Sequence, residues 1–421
     1  MREHPAAPVY RNDSGHRLLP VEVDAVRAHS RRVATAAIEP RPVFAPWLPS
    51  YLARVRDVVP HWQTHAPAAS ELSAWPLTSR ADLAADIAAF VPDDLALDRL
   101  INFRTTGSTG HPLLLPSHPV VAARYLSYQQ RAYRRFGVEL TAGRGQVGVL
   151  LIGWQQKCFT YTSISPYRDD CGLAKINLHA VDWRSLSDRG VYIDALAPEV
   201  IAGDPLSLAV LLDIEFAYRP RILLSTSMQL LPGLRDALEA RFACPVADVY
   251  SLNEAGPIAV FDPVVGGHVL LQPQMIVEIL DAEGRPVADG ERGEIVLTGG
   301  FNDYLPLVRY RTGDIARLDR AGDDFVLFDL QGRLPVRFRR SDGRYINNID
   351  ITHALATLPI AQFSLHQLAS GACDFALQPA PGLRLEDAVA RLQDALGDVP
   401  IRSRILRKTE GKLWQYRSDV G

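Results

Sequence analysis

The stretch FRTTGSTGHP, residues 103–112, sets four hydroxyl side chains, Thr105, Thr106, Ser108 and Thr109, around Gly107 and Gly110. Glycine lets a backbone approach a ligand closely, and successive N–H groups and hydroxyls can ring phosphate oxygens without a dedicated cation. Such a loop suits a polyanion; its structural alternative is a Ser/Thr/Gly turn after a strand. A second candidate is SLNEAG, residues 251–256, because it follows the apolar segment PVADVY (245–250). Ligands of open α/β sheets gather at the carboxyl ends of strands. Lysine is a third signal: only Lys157, Lys175, Lys408 and Lys412 occur among 45 basic residues. An ammonium is a compact point charge on a flexible stem, so a lysine kept in an arginine-rich chain marks a place where a planar fork does not serve.

These residues need elements to position them. Residues 1 to about 98 read as helical and proline-punctuated, with ARVRDVVPHW and SRADLAADIAAF as amphipathic pieces. From QVGVLLIG (146–153) the pattern changes. RILLST (221–226) reads as a strand, MQLLPGLRDALEARF (228–242) as a helix and PVADVY as a further strand, a β-α-β rhythm that predicts a parallel sheet. MIVEILD (275–281), GEIVLTGG (293–300) and FVLFDLQGR (325–333) are strands joined by Gly/Asp turns, which predicts an antiparallel β region. Beyond about residue 334 short strands mix with two helices, ITHALATL and LEDAVARLQDALG. The expected fold is α/β: a large N-terminal domain over 1–332 with parallel sheets and a β region, and a small α+β domain over 333–421.

Composition narrows the function classes. The apolar fraction is 47%, the charged fraction 22% and the net charge −3, so no global field favours nucleic acid or an anionic membrane. The N-terminus lacks a signal-type apolar region and no run of about 18 apolar residues occurs, so a cytoplasmic location without membrane spanning is expected. Cys158, Cys171, Cys244 and Cys373 form no C-x-x-C pair and read as buried thiols rather than zinc ligands or a disulfide framework.

The order TTGSTGHP, VYSLNEAGP, PLVRYRTGD, QGR and TEGK, preceded by WPLTSRADL (75–83), resembles the adenylate-forming superfamily and within it the phenylacetate-CoA ligase-like branch, over about residues 75–415. Several motifs in one order are more specific than any one of them. The resemblance implies that Thr105, Thr106, Gly107, Ser108, Thr109 and Gly110 hold the β- and γ-phosphates of ATP. It implies that Glu254 holds Mg2+ on those phosphates, that Tyr250 stacks on adenine, and that Asp314 accepts hydrogen bonds from the ribose hydroxyls. Arg333 is implied near ribose and phosphate, and Lys412 near the α-phosphate and the acid during adenylation. Without the resemblance, Glu254 reads as a carboxylate favoured at a helix N-terminus, Tyr250 as a strand-end core aromatic, Asp314 as a turn residue and Lys412 as an exposed tail lysine.

Two departures stand out. His111 occupies the position after the second glycine of the loop where the family usually has lysine, and Leu334-Pro335 occupies the hinge, where proline fixes φ. Arg309 and Arg311 alternate with Tyr310 and are expected to share a face of a strand. Trp154, Cys158 and Tyr161 read equally as walls of an acyl pocket or as a plain loop. The implied activity is ATP- and Mg2+-dependent adenylation of a carboxylic acid, aromatic by analogy, with transfer to CoA. Transfer to an amine or another nucleophile, and a nucleotide-binding relative that no longer catalyses, stay open at this point. The expected partners are the acid, ATP and the acceptor, without nucleic acid or membrane; a homodimer is among the assemblies considered.

Overall fold

The computed structural model describes residues 1–11, 18–104, 113–155, 158–332, 336–406, 413 and 415–420, without the side chains of residues 347 and 349. It divides into two compact units that interleave along the chain. Residues 1–14, 140–248 and 335–421 form one, and residues 15–139 and 249–334 the other.

The first unit contains the predicted parallel sheet. Strands Ile222–Thr226, Val200–Gly203, Val147–Gly153 and Cys171–Asn177 lie side by side in that order and run parallel, and Tyr161–Ser165 closes the edge antiparallel. Val147–Gly153, VGVLLIG, is apolar on both faces and buried along nearly its whole length, as expected of a parallel strand covered by crossover helices. Those helices are Asp188–Leu196, Pro205–Leu211 and Pro232–Phe242. Two begin with proline at their first residue, and Asp204 caps Pro205–Leu211 by accepting from the Ser207 N–H at 2.7 Å. The predicted helix over 228–242 starts only at Pro232, whose fixed φ and missing donor suit a first turn. Arg235 Nη2 lies 3.7 Å from Asp248 Oδ2, and burial raises the Asp248 carboxyl to about 7.

The same unit holds the smaller C-terminal sheet, in the order Ile401–Ile405, Cys373–Pro379, Ile360–Gln367 and Tyr416–Ser418. Helices Asn348–Leu355 and Leu385–Leu396 match the two predicted there. Ile351, Leu355, Phe363, Phe375, Leu392 and Leu396 share one buried cluster.

The second unit carries the antiparallel region, in the order Met275–Leu280, Arg292–Gly299, Leu307–Ala321, Asp324–Gln331, Gly267–Leu270 and Gly256–Asp262. Helices Pro20–Thr35, Leu48–Val58, Pro60–His65 and Arg80–Ala85 bear out the helical, proline-punctuated reading of residues 1–98, and helix Pro119–Arg135 follows it. The WPLTSRADL segment is pinned to the long strand. The Thr78 N–H donates to the Arg309 carbonyl at 3.0 Å and the Arg311 N–H to the Thr78 carbonyl at 2.8 Å. Ser79 then caps helix Arg80–Ala85, with its N–H and hydroxyl both donating to Asp82 Oδ2 at 2.7 Å.

All four cysteines are free and buried, as expected. Among the described residues no helix is long and apolar enough to cross a membrane.

Candidate functional site

The strand expected to end at Tyr250 runs on as Val246–Leu252 and turns back, and Leu252 faces Gly256 at the start of antiparallel strand Gly256–Asp262. Glu254 therefore sits in a hairpin turn, and the helix N-terminus considered for it is corrected. Gly256 makes the turn possible. Its φ is +70°, and a Cβ there would lie 2.5 Å from the Phe301 ring. The turn places a carboxylate that is only 6% exposed.

Across from it, Leu307–Ala321 supplies Tyr310 and Asp314. The RYRTGD stretch is not a plain turn, because the strand continues through it with its register shifted. Gly313 adopts φ +77°, its N–H donates to Glu294 Oε1 at 3.1 Å, and the Asp314 N–H donates to Thr312 Oγ1 at 3.0 Å. The Thr312 hydroxyl in turn donates to the Ile295 carbonyl at 2.8 Å, so Asp314 is aimed by hydrogen bonds on both sides of its peptide.

The side chains then meet. The Tyr250 hydroxyl donates to Asp314 Oδ2 at 2.7 Å. Burial raises the Tyr250 phenol well above its ordinary value, and the charge of Asp314 adds to the effect, so Tyr250 stays a neutral donor. Burial, followed by the charge of neighbouring Glu254, raises the Tyr310 phenol likewise. Arg80 Nη1 lies 3.2 Å from Glu254 Oε1. The result is two carboxylates about one site, Asp314 receiving a phenolic hydrogen bond and Glu254 facing a guanidinium.

Arg309 and Arg311 stay out of this cluster. Arg309 pairs with Glu278 at 3.3 Å and donates to the carbonyls of Ser73 and Trp75 at 3.0 and 2.9 Å; Arg311 pairs with Glu294 at 2.6 Å. Both are structural. Regular alternation between them is interrupted, because Arg309 has φ +43°.

Tyr250, Glu254 and Asp314 are thus brought together. Thr105, Thr106, Gly107, Ser108, Thr109, Gly110, Arg333 and Lys412 lie outside the described residues, as do His111 and Pro335. Sequence reasoning missed Arg80 and Tyr310 as members of the cluster. Both lie within quoted motifs, but only the chain's return across 174 residues puts Arg80 beside Glu254. Among the described residues no group of three or more His, Cys, Asp or Glu converges on a metal position. Glu254 alone suits Mg2+, which takes one or two carboxylates and completes its shell from water and substrate phosphates.

In the first unit, Trp154 packs 6.0 Å from His179, and Cys158 is buried with its thiol pushed up by that burial.

No family model matches the chain. Over 90 residues it is 34% identical to phenylacetate-coenzyme A ligase of Escherichia coli (strain K12), a segment covering 20% of this chain and 21% of that protein. It is 22% identical over 254 residues to protein CapK of Staphylococcus aureus, covering 58% of this chain and 51% of that protein. The match therefore spans about a fifth to a half of these relatives' lengths. Among solved structures, 2-hydroxyisobutyryl-CoA ligase in the postadenylation state in complex with R3-HIB-AMP is similar with a TM-score of 0.67 and 15% identity, over 92% of each chain. At that identity the likeness is one of fold, and it bears out the mixed α/β architecture with a smaller C-terminal sheet.

Proposed function

We propose that this chain, which has the fold of the adenylate-forming ligases and resembles their phenylacetate-CoA ligase-like branch, activates a carboxylic acid with ATP and passes the acyl group to CoA. The observation that carries this reading is that the Tyr250 hydroxyl donates to Asp314, 64 residues on, with the Glu254 carboxylate near enough to act on the same phenol.

In the first half-reaction a carboxylate oxygen of the acid bonds to the α-phosphorus of ATP, and the bond from that phosphorus to the bridging oxygen breaks, releasing pyrophosphate. In the second, the CoA sulfur bonds to the acyl carbon, the bond from that carbon to the AMP oxygen breaks, and the thiol proton is lost. The chain's part is to position and to neutralise. Asp314, held by Tyr250, accepts from the ribose hydroxyls, and the Tyr250 ring offers a face to the base. Glu254 holds Mg2+, which when bound neutralises charge on the phosphates. The loop of Thr105, Thr106, Gly107, Ser108, Thr109 and Gly110 takes the β- and γ-phosphates, Arg333 lies near ribose and phosphate, and Lys412 meets the charge shared between acid and α-phosphate. In this reading residues 1–332 bind nucleotide and acid, and residues 333–421 are the lid that delivers Lys412.

The similarity to phenylacetate-CoA ligases supports an aromatic acid. A pyrophosphate-release assay over aryl and alkyl acids, with and without CoA, tests the proposal. Acid-dependent release that CoA accelerates is expected, with aryl acids preferred. Absence of release with every acid refutes the activity, and discharge by an amine but not by CoA reassigns the acceptor.

A further inference from the structure

Arg80 has no role in the proposed reaction as described so far, yet it stands at the carboxylate on which that reaction depends. Glu254 is 7% exposed at its side chain and sits in a tight hairpin, whereas the Arg80 side chain is 31% exposed. The two ends of the pair differ in exposure. The backbone of Arg80 is fixed by the Thr78 bridge and the Ser79–Asp82 cap, but its long stem reaches Glu254 from the first residue of a helix.

A buried carboxylate needs a counter-charge at all times. Arg80 provides one while no cation is present. A divalent ion on the same carboxylate would set three positive charges against one negative charge in a poorly screened place. The anions nearest to such an ion are the polyphosphate oxygens that it ligates. Those oxygens are the anions open to a guanidinium displaced from Glu254, and its planar fork suits them.

Resting on the reading of Glu254 as the Mg2+ residue, we infer that Arg80 is an exchanging counter-ion: it pairs with Glu254 in the empty site and transfers to the nucleotide's phosphate oxygens when Mg·ATP arrives. It thereby brings positive charge to the pyrophosphate leaving group in a chain that carries His111 after its phosphate loop.

Calorimetry with α,β-methylene-ATP, at saturating and at limiting Mg2+, separates this from a plain structural ion pair. Arg80→Ala is expected to weaken nucleotide binding at saturating Mg2+ by about ten- to a hundredfold, the scale of one or two charge-assisted hydrogen bonds. The same variant should lower the Mg2+ concentration needed for half-maximal binding, because a competitor for Glu254 is gone. Arg80→Lys should recover most of the nucleotide affinity. Opposite movement of metal and nucleotide is the signature. Parallel weakening of both, with a lowered melting temperature that Arg80→Lys does not restore, or unchanged binding in Arg80→Ala, overturns the exchange. Glu254→Gln keeps the two readings apart. If it too leaves Mg2+-dependent nucleotide binding unchanged, the assignment of Glu254 fails; if it alone weakens binding, only the inference about Arg80 fails.

Discussion

Removing the hydroxyl of Tyr250 while keeping its ring isolates the contact that holds Asp314 in the proposed nucleotide site. Tyr250→Phe leaves an aromatic face for a base but takes from Asp314 Oδ2 a donor now at 2.7 Å. A hydrogen bond to a charged group contributes roughly 1.5–3 kcal/mol when well desolvated. Asp314 is only partly buried, so the lower end applies. About 1.5 kcal/mol corresponds to about tenfold weaker binding of α,β-methylene-ATP. Asp314→Asn should cost at least as much, since a neutral amide accepts more weakly from ribose as well as from Tyr250. The double variant decides the point. If Tyr250 acts by holding Asp314, the two losses overlap by about 1 kcal/mol, and the double variant binds little worse than Asp314→Asn alone. Calorimetry supplies the three affinities, and melting temperatures within a few degrees of the parent exclude a folding defect. Fully additive losses, or Tyr250→Phe binding like the parent, would refute the positioning role.

Three further outcomes are expected. Lys412→Ala should slow adenylate formation by about 10²- to 10³-fold, the scale for one preorganised transition-state donor, while consumption of a synthetic acyl-adenylate survives; equal loss of both half-reactions in stopped assays would contradict this. Asp248→Asn should stabilise the protein at pH 8. The folded carboxyl titrates near 7 against an ordinary value of 3.8, so its unfavourable ionisation lowers stability as pH rises from about 4 to 7 and stays constant above; denaturant melts should lose that slope in the variant, worth up to about 4 kcal/mol. Gly256→Ala should lower the melting temperature, because a Cβ at φ +70° would press on the Phe301 ring at 2.5 Å, a strain of roughly 1–3 kcal/mol; an unchanged melt would show that the hairpin relaxes.

The parallel half of the fold was legible because apolar runs such as VGVLLIG alternate with capped helical segments, and the antiparallel half because Gly/Asp turns separate its strands. The hairpin around Glu254 was not, since SLNEAG carries no local sign that its chain reverses rather than enters a helix. RYRTGD also misleads locally: Thr-Gly-Asp reads as a turn, yet the strand absorbs it through a shift in register. Motif order singled out Tyr250, Glu254 and Asp314, which the fold makes neighbours. Arg80 and Tyr310 escaped because their significance lies in partners far away in the chain, which neither periodicity nor propensity encodes.

The interleaving of the two units sets an order on the protein's birth. Arg11 leaves the ribosome early, but its carboxylate partner Asp182 follows 171 residues later, which at roughly 5–20 residues per second is a wait on the order of ten to thirty seconds. The unit containing Glu254 and Asp314 is complete once residue 334 has been made, while the other waits for the end of the chain. The cluster of Tyr250, Glu254 and Asp314 can therefore assemble on the nascent chain before residues 335–421 have been made, and slowing translation after residue 334 should favour that order more than slowing it earlier.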